Sequence, residues 1–127
     1  MLGTLDVIVF VPTTDSGKAR AFYEGLLGLR FVSEDSFAAL FNANGIMFRV
    51  VKAQKFTPAP YTILGWQVKE IEKVVARLQD KGVHFERVGF KQDDLGIWTA
   101  PNGGKVAWFK DPDGNMLSVS EHQEWTK

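Results

Sequence analysis

The chain has 127 residues, with 15 basic and 15 acidic side chains, two His, four Trp, ten Phe and no Cys. Its zero formal net charge lacks the basic field with which nucleic-acid binders meet phosphate, and 45% apolar with 24% charged residues is the make-up of a folded globular chain. The lack of cysteine excludes disulfides, zinc–thiolate and iron–sulfur sites and thiol nucleophiles, and two histidines would leave any metal site mostly oxygen-ligated.

A first strand is expected over Leu5–Val11, where β-branched residues abound and the odd positions are uniformly apolar. Pro12 ends it, and Asp15 and Ser16 are good N-cap residues. Ala19, Phe22, Tyr23, Leu26 and Leu27 then form one apolar helical stripe, stopped by Gly28. Strand-like runs follow at Leu29–Val32, Phe37–Phe41 and Ile46–Val51, the last two joined by an Asn44-Gly45 hairpin turn. After Ala53–Tyr61, with Pro58 and Pro60, the order βαβββ begins again. Thr62–Val68 is strand-like, and Ile71, Val74, Val75 and Leu78 make a helical stripe that stops at Gly82. Val83–Val88, Lys105–Phe109 and Met116–Ser120 complete the second copy, with Asp94–Pro101 inserted into it.

The two halves also match piece by piece. Gly28-Leu29-Arg30-Phe31 parallels Gly82-Val83-His84-Phe85, and Gly45-Ile46-Met47-Phe48 parallels Gly114-Asn115-Met116-Leu117. The reading is an α+β chain, 1–127 forming one domain. Module 1–52 is joined by linker 53–61 to module 62–122, with a tail at 123–127. One helix covers only one face of a small sheet. Two copies are therefore expected to form a cupped mixed β-sheet around a shared concavity, with the helices outside.

Strand parity predicts the lining of that cup. If Val7, Val9 and Val11 face the helix, then Asp6, Ile8 and Phe10 face the other way. The same rule puts Ile63 and Gln67 opposite Leu64, Trp66 and Val68, and sets Met47, Arg49, Ser118 and Ser120 on the cup side. One of Trp108 and Phe109 faces the cup. Trp98, in the Gly- and Pro-bounded insertion, either closes over a ligand or packs in a dimer contact. Mostly apolar walls with a few polar groups suit a small-molecule ligand. Arg49, among Met47, Phe48, Val50 and Val51, is either an anchor for a carboxylate or carbonyl, or an ion-pair partner of Glu34 or Asp35. His122 reads as part of a solvated terminus.

The motifs Phe22-Tyr23-Glu24-Gly25-Leu26-Leu27-Gly28-Leu29 and Phe109-Lys110-Asp111-Pro112-Asp113-Gly114-Asn115 resemble the vicinal oxygen chelate superfamily. That superfamily includes glyoxalase I, bleomycin-resistance proteins and extradiol dioxygenases; Trp66-Gln67-Val68 through Gly82-Val83 fits its second module. The resemblance implies paired βαβββ modules and often a homodimer. It also implies a divalent metal held by His or Glu from the first and fourth strand of each module. Counted from Asp15, Glu70, Gly45 and Gly114, those positions here are Ile8, Ile63, Arg49 and Ser118. A shifted register replaces Ile8 by Asp6 and still leaves no metal set. No metal and no cofactor are therefore expected, and metal-dependent glyoxalase or dioxygenase activity is disfavoured. Two functions stay open: binding of a small, partly apolar organic ligand, or a metal-independent lyase or isomerase acting on a small carbonyl compound. Bleomycin itself is cationic and fits poorly with an arginine in the cup.

No run approaches the ~20 apolar residues of a membrane helix. Val7–Val11 is too short for a secretory core, and no basic residue precedes it. A cytoplasmic protein without membrane or nucleic-acid partners is the expectation.

Overall fold

Both halves build the same local architecture in the computed structural model, which describes residues 1–123 and 125. The chain divides into two compact units, Met1–Thr57 and the part that begins at Pro58. In the first, β1 (Ile8–Thr13) is followed by a helix, α1 (Ser16–Arg20), and by strands β2 (Arg30–Glu34), β3 (Ala38–Ala43) and β4 (Ile46–Lys52). The sheet order is β1-β4-β3-β2, with β1 parallel to β4 and the other pairs antiparallel. The second unit contains β5 (Thr62–Gln67), α2 (Ile71–Asp80), β6 (Trp98–Thr99), β7 (Lys105–Lys110) and β8 (Met116–Glu121). Its order is β5-β8-β7-β6, again with one parallel pair, β5 with β8. The fold is therefore α+β, with two tandem modules and two four-stranded mixed sheets.

Each helix seals one face of its own sheet. Asp15 caps α1 by accepting a hydrogen bond from the Lys18 amide at 3.1 Å. Tyr23 is fully buried, its ring 5.1 Å from Phe22 and 5.1 Å from Phe48. In the second unit Ile71 and Val75 bury the α2 stripe, and Phe109 lies between Phe85 and Trp66. Burying each such side chain is worth about 1.5–3 kcal/mol before the entropy cost of ordering it. Glu70, at the start of α2, has φ 52° and makes no side-chain cap. Glu121, at the end of β8, supplies the missing acceptor, its Oε1 lying 3.2 Å from the Ile71 amide.

Several elements depart from the pattern read in the sequence. The first strand starts at Ile8, not Leu5, because its pairing with β4 begins at Ile8 opposite Met47. Leu5, Asp6 and Val7 are exposed and outside the strand, so Asp6 belongs to no strand face. The strand also continues through Pro12, which an edge strand tolerates because one side of its backbone needs no partner. The first helical stripe is continuous, but Ala21–Leu26 is wound as a π-helix, with the Leu27 amide donating to Phe22 O. The expected strand Val83–Val88 is reduced to a single bridge, Phe85 with Phe109. Part of the edge of β7 is taken instead by β6, which lies in the stretch read as an insertion.

Candidate functional site

Parity divides each sheet into a helix-covered face and an open one. On the first sheet Val11, Phe41, Phe48 and Val50 are buried, while Ile8 and Phe10 are 46% and 61% exposed. The register sets Ile8 beside Met47, and Phe10 and Leu40 on either side of Arg49. Arg49 is thus a cation on an apolar, solvent-facing strip. The acids considered as its partners are engaged elsewhere. Glu34 pairs with Lys52 at 2.7 Å and accepts from Ser16 at 3.0 Å; the Lys52 hydrogen bond, then that of Ser16, holds its carboxyl below the usual range. Asp35 accepts from the Phe37 and Ala38 amides at 2.7 and 2.9 Å, and these bonds lower its pKa, with a smaller contribution from the Arg49 charge. The Arg49 side chain makes no ion pair or hydrogen bond among the described residues.

The open face of the second sheet carries Ile63 and Gln67 on β5, Ser118 and Ser120 on β8, Trp108 on β7 and Trp98 on β6. Cross-strand register aligns Gln67, Ser120, Val106 and Trp98 in one row, and Gly65, Ser118 and Trp108 in the next. The choice between Trp108 and Phe109 is thereby resolved: Phe109 is fully buried under α2, and Trp108 faces outward. Trp98 and Trp108 are 6.2 Å apart, and Phe90 lies against both, stacked at 4.6 Å and 5.8 Å. Phe90 is a member of this aromatic group that strand periodicity did not reveal, since it sits on a loop. Trp66 is part-buried, its ring stacked on Phe109 at 6.4 Å.

A concavity of about 540 Å³ opens at the end of this sheet, lined among others by Gln67, Asn102, Ser120, His122, Gln123 and Trp125. It joins two expected residues, Gln67 and Ser120, to one set aside. His122 is exposed but not merely terminal: its Nε2 is 2.9 Å from Ser120 Oγ. Spacing held the signal, because residues 120 and 122 share one side of an extended chain. Asp93 accepts from the Leu95 and Ile97 amides, and the carbonyls of Asp93 and Asp94 accept from Arg87.

The equivalent pairs in the two copies have opposite character. The first unit has Phe10 beside Arg49, large and charged; the second has Gly65 beside Ser118, small and neutral. With Ile8 and Ile63 they supply two alkyl groups, a guanidinium and a hydroxyl at the positions the resemblance gives to metal ligands. Such a donor set does not fit a divalent cation. Among the described residues there is no group of three or more His, Asp or Glu placed to hold a metal ion.

Comparison with known proteins agrees with this architecture. The family model of the glyoxalase/bleomycin resistance protein/dioxygenase superfamily matches residues 4–119. A glyoxalase family protein from Enterococcus faecalis is similar at 22% identity and a TM-score of 0.74, covering 95% of this chain and 100% of its own. A lactoylglutathione lyase from Agrobacterium tumefaciens shares 18% identity with a TM-score of 0.72, over 95% and 96% of the two chains. A genomically encoded fosfomycin resistance protein from Listeria monocytogenes shares 15%, with a TM-score of 0.73 and 93% of each chain covered. At these identities the likeness is one of fold. Among curated proteins none matches the chain.

Proposed function

The chain belongs to the glyoxalase/bleomycin resistance protein/dioxygenase superfamily, and from that membership we propose that it binds a small, partly apolar organic ligand without a metal. The observation that carries this reading is Arg49. It is an unpaired guanidinium between Phe10 and Leu40, at a position where the family resemblance sets a metal ligand. A guanidinium donates two parallel hydrogen bonds to a carboxylate, or a forked pair to a single carbonyl oxygen. The candidate contacts are Ile8, Phe10, Met47 and Arg49 on the first unit and, on the second taken by itself, Ile63, Gln67, Trp98, Trp108, Ser118 and Ser120. The test is a thermal-shift screen of aromatic acids, aldehydes and antibiotics with wild type and Arg49→Ala. Acids should raise the melting temperature of the wild type and not that of the variant. Equal shifts in both would remove Arg49 from the site.

A second reading rests on the Ser120–His122 hydrogen bond. An imidazole in a concavity is a candidate general base, and removing a proton next to a carbonyl is the first step of many isomerisations and eliminations. The chain would then be a metal-independent lyase or isomerase. Exchange of such protons for deuterium, followed by NMR in heavy water and lost in His122→Ala, would support it; an exchange rate equal to that of buffer would end it.

A homodimer and a cytoplasmic location complete the proposal. Leu2, Leu5 and Val7 form an exposed apolar N-terminal stretch suited to a contact between copies. Sedimentation equilibrium decides the first. No helix among the described residues is long and apolar enough to cross a membrane.

A further inference from the structure

We propose that the indole faces of Trp98 and Trp108 are the seat of a flat aromatic ligand, and that the Phe90 ring is its resident stand-in. This rests on the ligand-binding reading above and narrows the ligand to a planar ring.

Phe90 is unlike the chain's core phenylalanines. Those at 22, 41, 48, 85 and 109 are buried, whereas Phe90 is 53% exposed and its recorded ring contacts are with the two tryptophans. The stacking is nearly parallel, 22° to Trp98 and 26° to Trp108, which is how a flat ligand meets an indole face. The tryptophans sit on paired strands, Trp98 opposite Val106 on β7 and Trp108 opposite Ser118 on β8. Their positions are therefore fixed by backbone pairing, while the ring that covers them is carried by a loop.

The loop is built so that its tip can move alone. Gln92 accepts from the Val88 amide at 2.9 Å and donates to the carbonyls of Glu86 and Gly96 at 3.0 and 2.7 Å. Arg87 donates to the carbonyls of Asp93 and Asp94. Both flanks are pinned, and the tip between them is Gly89-Phe90-Lys91. Gly89 has φ 92°, a conformation open to glycine at little cost, so it supplies a hinge next to the ring. Swinging Phe90 away breaks ring contacts and none of the hydrogen bonds that pin the loop.

Calorimetric titration with 2-naphthoate, cyclohexanecarboxylate and neutral 2-naphthamide tests the proposal in wild type, Phe90→Ala, Trp98→Phe and Trp98→Ala. Removing the resident ring should tighten 2-naphthoate and 2-naphthamide by about tenfold, the upper range of an aromatic pair. It should leave the non-planar cyclohexanecarboxylate unchanged. Trp98→Ala should abolish the gain, and Trp98→Phe, which keeps a ring, should retain part of it. The proposal is overturned if Phe90→Ala weakens naphthoate as Trp98→Ala does, if it tightens cyclohexanecarboxylate equally, or if naphthoate binds neither wild type nor Phe90→Ala. Naphthoate binding lost only in Arg49→Ala, and indifferent to Phe90 and Trp98, would overturn the stacking seat alone. No response to any acid, aldehyde or antibiotic in the screen would overturn the ligand-binding reading as well.

Discussion

A methyl group added at Gly65 measures how closely β5 approaches β8 on the open face of the second sheet. A Cβ there would lie 2.8 Å from Ser118 Oγ and 3.4 Å from the Ser118 carbonyl oxygen. Ordinary contact begins near the second of these distances, so the hydroxyl must retreat by about 0.6 Å. Ser118 is only 6% exposed, which limits where it can go. Overpacking of this kind costs about 1–3 kcal/mol, while replacing glycine by alanine recovers about 0.4–1 kcal/mol of chain entropy. Gly65→Ala should therefore lose about 1 kcal/mol net, lowering the urea midpoint by roughly half a molar at an m-value of about 2 kcal/mol/M. Gly65→Ala with Ser118→Ala removes the obstructing oxygen and should match or exceed the stability of Ser118→Ala alone. The four proteins form a double-mutant cycle with a coupling of about 1–2 kcal/mol. An unchanged midpoint in Gly65→Ala, or no recovery in the double variant, would refute the steric argument.

Glu121→Ala should speed hydrogen exchange at the Ile71 amide and cost about 1 kcal/mol, since α2 then lacks that acceptor at its start; exchange unchanged at Ile71 would contradict the cap. Lys105 and Glu72 lie 2.7 Å apart, and their hydrogen bond lowers the Glu72 pKa from 4.5 and raises that of Lys105 from 10.5. Their contribution is present between those values, fading as pH falls through the folded-state pKa of Glu72 and as it rises through that of Lys105. Melting temperatures of wild type and Glu72→Gln should thus converge at both extremes of pH, and a constant gap would rule the pair out. Because Ile8, Arg49, Ile63 and Ser118 are a poor donor set, EDTA should leave the melting temperature unchanged, as should added zinc or nickel. A rise of several degrees with one equivalent of either ion would overturn that reading.

The duplicated order, both helices and the sidedness of the first and fourth strands of each module were legible in the sequence because apolar periodicity reports burial directly. It does not report pairing. Val83 and Phe85 alternate as a strand should and are both buried, yet just one residue there bridges β7. Burial without a backbone partner gives the same pattern as burial within a sheet. Leu5 and Val7 show the converse: β-type residues in register with a strand that are left exposed because nothing pairs with them. In the site, Arg49, Gln67, Ser118 and Ser120 were reachable from parity, Trp98 was singled out by its Gly- and Pro-bounded insertion, and parity left Trp108 and Phe109 undecided. Phe90 was not reachable, because a loop has no period, and the contacts that place it run to strands eight and eighteen residues further along the chain.

The unlike pairs, Phe10 with Arg49 and Gly65 with Ser118, have a consequence for how such a chain can change. Were the two sheets copies of one short polypeptide related by symmetry, every substitution would appear on both, and a new arginine would bring a second arginine with it. Covalent duplication removes that constraint. One half can carry a charge and a large ring while the other keeps a bare backbone and stacked indoles, and each is open to mutation without altering its counterpart. Two surfaces of different chemistry can then be carried by a single gene.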